Sequence, residues 1–289
     1  KKIKSKLVWT LHDTWPLNGI LHYNFENELD RRKTEILFLF FLKLNKRRLL
    51  NLCKEKEVTF ICPSTWIFKE WEKSPLSICS KAIHIPNTLD LMVFKPLNKF
   101  KCRKDFNFSH DKKIILFGAD IANNNYRKGF HLLKKVLMKL GYYHKDIELI
   151  TVGFQENKKY KINNFVVNSL GSINSASEMA KIYCCCDIAI IPSIIDNLPQ
   201  AATESVSCGL PVIGFNVGGM SDIVKDNKNG YLITPFDIEK MAKKVKFLLY
   251  DKKTLKEFSK FSRKHALKNW SYKNISEQYS KVYKEINSQ

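Results

Sequence analysis

Ile190-Ile191-Pro192-Ser193, Asp196-Asn197-Leu198-Pro199-Gln200, Glu204 and Cys208-Gly209-Leu210-Pro211-Val212 follow one another in close succession. The apolar pair Ile190-Ile191 ends a strand, and Pro192 and Ser193 break it. Gln200 opens a helix that stops at the Gly209 turn before a second apolar run. Strand, sharp loop, helix, turn and strand form the repeating unit of a parallel sheet covered by helices. The loop leads into a helix N-terminus, whose free N–H groups and positive dipole end suit an anion. Asp196 stands before that helix and Glu204 within it, with seven residues between them. One carboxylate can accept from a sugar hydroxyl and the other from the two hydroxyls of a ribose, because each offers two oxygens in a fixed plane. The plainer alternative makes Asp196 a helix N-cap and Glu204 a solvated helix residue.

The same alternation runs outward from this stretch. Ile114 to Phe117, Ile147 to Val152, Phe165 to Val167, Asp187 to Ile191, Pro211 to Phe215 and Tyr231 to Ile233 read as strands. Helical periodicity occupies Phe130 to Leu140, Ala176 to Tyr183, Gln200 to Cys208 and Ile238 to Tyr250, and two more helices close the chain around Leu255 to Leu267 and Asn274 to Ile286. Six strands separated by helices predict a complete α/β domain of Rossmann type, with its ligand at the carboxyl edge of the sheet.

Toward the amino end, Leu7 to Leu11, Val58 to Cys62 and Ala82 to Ile85 read as strands, and Arg31 to Glu57 as a helix. Three strands fall short of the about five or six of such a sheet. This part is therefore expected to be half a domain with an open edge and an uncovered apolar face. The expected organisation is 1–97, 98–272 and a final helix over 273–289, with the boundary near Lys95-Pro96. A first residue that is Lys1 and not Met leads to the expectation that the chain begins inside a longer one.

The spacing from Asp196 to Glu204, then Cys208-Gly209-Leu210-Pro211-Val212-Ile213, Gly218-Gly219-Met220-Ser221-Asp222-Ile223-Val224 and Asn229-Gly230-Tyr231-Leu232, resembles the family-4 retaining glycosyltransferases. That resemblance implies a GT-B fold, two Rossmann-like domains facing a cleft, the N-terminal one incomplete here. It implies transfer of a sugar from a nucleotide diphosphate sugar to a glycan or lipid-linked acceptor, and the Asp-Asn-Leu-Pro wording is similar to that of polysaccharide-building members. In it Asp196 orients the donor sugar and Glu204 takes the ribose, with Asn197, Leu198, Gly218 and Gly219 around the donor. Gly118 and Lys128 correspond to the diphosphate-binding turn. Most relatives carry Arg directly after that glycine, where Ala119 stands, and Arg127 is expected to supply the charge instead. Trp9-Thr10-Leu11-His12-Asp13 resembles the acceptor-side strand, which makes His12 the residue facing the donor sugar. A retaining, metal-independent reaction without a protein nucleophile or cofactor follows from the same resemblance. A non-catalytic nucleotide-sugar-binding fragment is the alternative.

Composition narrows the partners. Hydrophobic residues make up 44% and charged residues 27%, the balance of a folded globular chain. Forty-nine Lys and Arg against 28 acids give a formal +21, which either favours an anionic partner or reflects a lysine-rich text whose side chains solvate helices. The basic residues are spread and not interleaved with aromatics, so nucleic acid is not expected. The apolar segment Ile36 to Leu42, flanked by Arg31-Arg32-Lys33 and by Lys43, Lys46, Arg47 and Arg48, suggests a helix resting on an anionic membrane surface, with an ordinary core helix as the alternative. No run approaches the ~20 apolar residues of a membrane span, and a cytoplasmic enzyme is expected. Cys184, Cys185 and Cys186 are consecutive and cannot converge as zinc ligands do. The eight cysteines read as reduced thiols, and no metal is expected.

Overall fold

Val58-Thr59-Phe60-Ile61-Cys62 is buried at every position, as a strand covered on both faces must be. It belongs to a computed structural model that describes residues 5–18, 22–23, 35–118, 126–153 and 157–288. In chain order the strands are β1 (Leu7–Thr10), β2 (Val58–Cys62), β3 (Lys81–His84), β4 (Lys113–Gly118), β5 (Ile147–Val152), β6 (Asn157–Ile162), β7 (Phe165–Leu170), β8 (Ile188–Ile191), β9 (Val212–Phe215) and β10 (Gly230–Ile233). The helices are α1 (Trp15–Asn18), α2 (Glu35–Glu55), α3 (Thr65–Lys73), α4 (Lys99–Asp105), α5 (Phe130–Lys139), α6 (Ala176–Cys185), α7 (Gln200–Ser207), α8 (Met220–Ile223), α9 (Ile238–Tyr250), α10 (Lys252–Asn269) and α11 (Tyr272–Ser288). The chain divides into two units, Lys1–Asn87 with Lys273–Gln289, and Thr88–Tyr272.

In the first unit β1, β2 and β3 form a parallel sheet with β2 in the centre. Alternation along β2 sends Val58, Phe60 and Cys62 to one face, where Cys53 of α2 and Ile67 of α3 complete a cluster. Ser64 caps α3 by accepting from the Ile67 amide at 3.1 Å. Ile61 points to the other face, which corrects the expectation that this face lies bare. There α11 lays Ile275, Tyr279, Val282 and Ile286 against Val8, Ile61, Ile83 and Ile85. Those four positions are spaced four, three and four apart, one stripe of a helix. Arg31 to Thr34 of the expected long helix lie outside the described residues.

The second unit holds a seven-stranded sheet in the order β10-β9-β8-β4-β5-β7-β6. All pairings are parallel except that of β6 with β7. From β4 the chain builds outward through β5 and β7, then returns to β8 on the other side of β4. The order therefore reverses between β4 and β8, and a ligand crevice is expected at the carboxyl ends of those two strands.

Two expectations need correction here. The sheet has seven strands and not six, because the polar Asn157-Lys158-Lys159-Tyr160-Lys161 is an exposed edge strand. It turns into β7 through Asn163 and Asn164, both at positive φ (47° and 69°), the turn chemistry of a two-residue hairpin. The boundary falls at Asn87/Thr88 and not near residue 97. Thr88 Oγ1 and the Leu89 amide both donate to the Trp270 carbonyl, at 3.2 and 3.0 Å. Leu91 and Phe94 are buried in the same core as Trp270, and Arg263 donates to the carbonyls of both.

The amino end of this sheet is pinned by charge. Arg103 is buried and donates to Asp187 Oδ2 at 2.9 Å and to the carbonyls of Cys185, Ser109, His110 and Lys112. The same Asp187 oxygen accepts from the Ile114 amide at 2.7 Å, tying β4 to the start of β8. All eight cysteines are free thiols, seven of them buried. Burial pushes Cys62 and Cys185 up to about 12, so they stay protonated.

Candidate active site

The carboxyl end of β4 is Gly118, and the end of β8 runs into Pro192-Ser193. Between them comes Tyr126-Arg127-Lys128, a 3-10 turn, followed by Gly129 and α5. Gly129 has a φ of 75°, and a Cβ there would lie 1.9 Å from the Pro192 carbonyl oxygen. Only glycine allows this approach, and it sets the turn against the loop after β8. Backbone bonds then fix the pairing: the Ile194 amide donates to the Arg127 carbonyl at 2.8 Å, and Arg127 Nη1 donates to Ile195 O at 3.0 Å.

That pairing delivers two cations to one carboxylate. Lys128 Nζ lies 2.7 Å and Arg127 Nη1 3.2 Å from the same oxygen, Asp196 Oδ2. Asp196 is 8% exposed. Its backbone is held from the far side, where the Gly219 amide donates to Asp196 O at 3.0 Å. A Cβ on Gly218, whose φ is 53°, would come within 1.8 Å of that same oxygen. Gly218 and Gly219 thus shape the site by positioning Asp196. Asn197 is buried, and Leu198 packs against the core beside it.

Glu204 lies one helix further in. Pro199 occupies the N-cap of α7 without a side-chain bond, so Asp196 is not the cap. Glu204 is 6% exposed, so it is not a solvated helix residue. Tyr183 donates its hydroxyl to Glu204 Oε2 at 2.7 Å, and Gln200 Nε2 donates to Oε1 at 2.6 Å. Burial pushes the Glu204 carboxyl above its ordinary value, and these two bonds hold it partly down.

A cavity of about 330 Å³ opens beside these groups. Lys128, Ser193, Gln200 and Glu204 form its polar side, and Val152, Met179 and Tyr183 its apolar side, with Gly118 and Gly153 at the strand ends. Of the residues singled out in the sequence, Gly118, Lys128 and Glu204 line it directly, while Asp196 is joined to it through Lys128. His12 belongs to the other unit, where it follows β1 and is exposed. Ala119 lies outside the described residues. Sequence reasoning missed Tyr183, Gln200, Val152 and Met179. The strand-end rule points to Val152, and the four-residue spacing from Gln200 to Glu204 places those two on one helix face. Among the described residues, no group of three His, Cys, Asp or Glu converges to hold a metal ion.

A sheet parallel but for its edge strand, with its crevice at the reversal of strand order, defines a Rossmann-like domain. Residues 98–265 match the family described as Glycosyl transferases group 1, and the chain belongs to that family. It is 26% identical over 188 residues to spore coat protein SA of Bacillus subtilis, an alignment covering 60% of this chain and 49% of that one. The chain spans about half the length of the curated relatives it matches. Among solved structures, sucrose-phosphate synthase from Thermosynechococcus elongatus superposes with a TM-score of 0.79 at 19% identity, covering 99% of this chain and 69% of that one. Anabaena HepE in complex with UDP and glucose superposes with a TM-score of 0.71 at 18% identity, covering 96% and 71%. These likenesses place the fold among the GT-B glycosyltransferases.

Proposed function

We propose that this chain is a retaining glycosyltransferase that moves a sugar from a nucleotide diphosphate sugar to a glycan or lipid-linked acceptor of surface polysaccharide synthesis. The observation that carries the reading is that one cavity is lined by both Glu204 and Lys128. A vicinal diol and a diphosphate are the two parts a ribonucleoside diphosphate donor presents, and these groups match them in charge and in hydrogen-bonding sense. The solved HepE complex with UDP and glucose supports a donor of this class.

In this reaction the acceptor oxygen forms its bond to the anomeric carbon while that carbon's bond to the diphosphate oxygen breaks. The proton of the acceptor hydroxyl passes to the departing phosphate on the same face of the sugar. Lys128 and Arg127 meet the negative charge that grows on the diphosphate, and no metal is needed for that task. Asp196 orients the sugar, and His12 helps to place the reacting carbon. Donor phosphate and Asp196 then compete for Lys128, so binding the donor rearranges the ion pair seen here.

Among the described residues, no helix is long and apolar enough to cross a membrane. The reading includes a cytoplasmic enzyme lying on the membrane face, and α2 supports it. Phe40 and Phe41 are exposed there beside Lys43, Arg47, Arg48 and Lys54. Calorimetry with a panel of nucleotide sugars tests the donor assignment. Binding of at least one nucleoside diphosphate and its sugar conjugate is expected, and a full panel without binding sinks it.

A further inference from the structure

Glu204 has about four lone-pair positions on its two oxygens, and among the described residues two donors fill two of them. Tyr183 takes one on Oε2 and Gln200 one on Oε1. Two positions remain, one on each oxygen, which is the number a vicinal diol needs. The two protein donors differ in how firmly they are held. Gln200 belongs to the same helix, one turn before Glu204, and its side chain lines the cavity. Tyr183 comes from α6, is 1% exposed, and has its ring fixed in the core beside Phe94. Its hydroxyl is therefore a rigid reference point, set by the packing of a different helix.

We propose that Tyr183 is the positioning residue that turns the Glu204 carboxylate so that its two free lone pairs meet the ribose diol of the donor. Without this bond, Glu204 Oε2 loses its buried donor, and the carboxylate is free to rotate about its last side-chain bond. The proposal rests on the donor-site reading above and adds the residue that makes Glu204 selective for ribose.

The groups around Glu204 are Tyr183 from α6 and Gln200 and Cys208 from α7 and its cap, and Lys128 lines the same cavity. The hydrogen bond with Cys184 and burial hold the Cys208 thiol well above its ordinary value, and burial raises the Glu204 carboxyl, so Glu204 is the acid here whose charge depends on its two donors. Removing the Tyr183 hydroxyl withdraws a bond that favours the carboxylate, and the acid limb of donor binding should move to higher pH.

The test uses the full chain with Tyr183→Phe, which keeps the ring. Calorimetry compares ribonucleoside diphosphates with their 2′-deoxy and 3′-deoxy counterparts between pH 4.5 and pH 8, on the order of the range over which a raised carboxyl titrates. The wild-type chain should prefer the ribose forms. Tyr183→Phe should lose about tenfold in affinity for them, keep its affinity for the deoxy forms, and show the acid limb displaced upward. Incorporation of 3-fluorotyrosine at position 183 retains the hydroxyl as a stronger donor. It should preserve the ribose preference and move the acid limb downward, and it gives the answer even if the phenylalanine variant does not fold. A ribose preference and acid limb unchanged in both variants overturn the proposal while leaving the donor site standing. A wild-type chain that binds diphosphates without any ribose preference overturns the placement of the diol on Glu204, and this proposal with it.

Discussion

Lys128 and Asp196 form an ion pair of 2.7 Å between residues 68 positions apart in the chain, and Arg127 reaches the same carboxylate oxygen at 3.2 Å. Both side chains of the pair are about three-quarters or more shielded from solvent, so the contact is more than a loose surface pair. Its consequence, on the proposed function, is that Lys128 is already neutralised before a donor arrives. Lys128→Ala should weaken nucleoside diphosphate binding by about 1.5–3 kcal/mol, the worth of a hydrogen bond to a charged group. Asp196→Asn should act in the opposite sense. It frees two cations, so the bare nucleotide should bind as tightly as before or tighter, while sugar-dependent transfer collapses. Calorimetry on both variants checks this, and an Asp196→Asn chain with weakened nucleotide affinity would show that the pair orders the site instead of competing for it.

Burial of Glu204 carries a cost in stability. Its carboxyl is pushed above the ordinary glutamate value of 4.5 by burial, so the fold favours the protonated form. For an acid with a raised folded pKa, the stability contribution is highest below the unfolded value and is lost as pH rises through the folded one. Glu204→Gln should therefore match or exceed the wild-type melting temperature at pH 7, with its relative advantage shrinking as pH falls toward 4.5. It should also weaken free nucleotide as well as nucleotide sugar, by about 1.5–3 kcal/mol, since ribose is common to both. Thermal melts across that pH range and paired titrations give both readings. A variant less stable at neutral pH, with nucleotide binding intact, would make Glu204 a structural residue.

Arg103 is the strongest structural prediction outside the cavity. Its guanidinium is 5% exposed, and its Asp187 partner 11%. Burial works against the Asp187 carboxylate, yet Lys99, the Ile114 amide and Arg103 together outweigh it and hold the carboxyl below its ordinary value of 3.8. Such a depressed acid contributes stability above its unfolded value and loses it as pH falls through the folded one. Arg103→Leu should lower stability by about 3 kcal/mol at neutral pH, because it leaves several carbonyls without their donor and removes one of the two cations on a buried carboxylate, which keeps Lys99. The gap to wild type should narrow below about pH 4. Denaturant unfolding at pH 7 and pH 3.5 checks the sign, and a gap that widens in acid would assign the loss to packing instead.

The parallel sheet was legible because its strands are buried on both faces and read as unbroken apolar runs, as Ile188–Ile191 does. The edge strand Asn157–Ile162 was not, since an exposed edge carries lysines that read as loop. Asp196 and Glu204 stood out by their spacing across a loop and the helix that follows it, whereas Lys128 came from the family resemblance. The structure pairs Lys128 with Asp196 and brings Lys128 and Glu204 to one cavity. Tyr183 was not legible, because nothing local marks a helical tyrosine whose partner lies 21 residues away on another helix. Its apolar ring makes it look like core, and only the packing of α6 beside α7 shows what the hydroxyl does. The boundary at Asn87/Thr88 was hidden for a related reason: Thr88 and Leu89 are claimed by Trp270, far along the chain.

The last expectation concerns α2. Phe40 and Phe41 are 60% and 47% exposed, with ring centroids 5.9 Å apart, an unusual display for two large apolar side chains. Lys43, Arg47 and Lys54 follow Phe40 by three, seven and fourteen residues, so they lie on its side of the helix, and Arg48 stands seven residues after Phe41. Apolar rings beside four cations fit the boundary of an anionic bilayer, where rings enter the acyl region and cations meet headgroups at about 1 kcal/mol each. Glu55, exposed at the end of the helix, stands beside Lys54 and offsets it, so Lys43, Arg47 and Arg48 carry most of that field. The chain should co-sediment with vesicles containing phosphatidylglycerol and much less with pure phosphatidylcholine, and added salt should release it. Phe40→Ser with Phe41→Ser should weaken binding to anionic vesicles at every salt concentration, whereas Arg47→Gln with Arg48→Gln should chiefly flatten the salt dependence. Because none of these side chains lines the donor cavity, nucleotide affinity in solution should be unchanged in both double variants. Binding indifferent to lipid charge and to all four substitutions would leave α2 an ordinary helix with exposed ends.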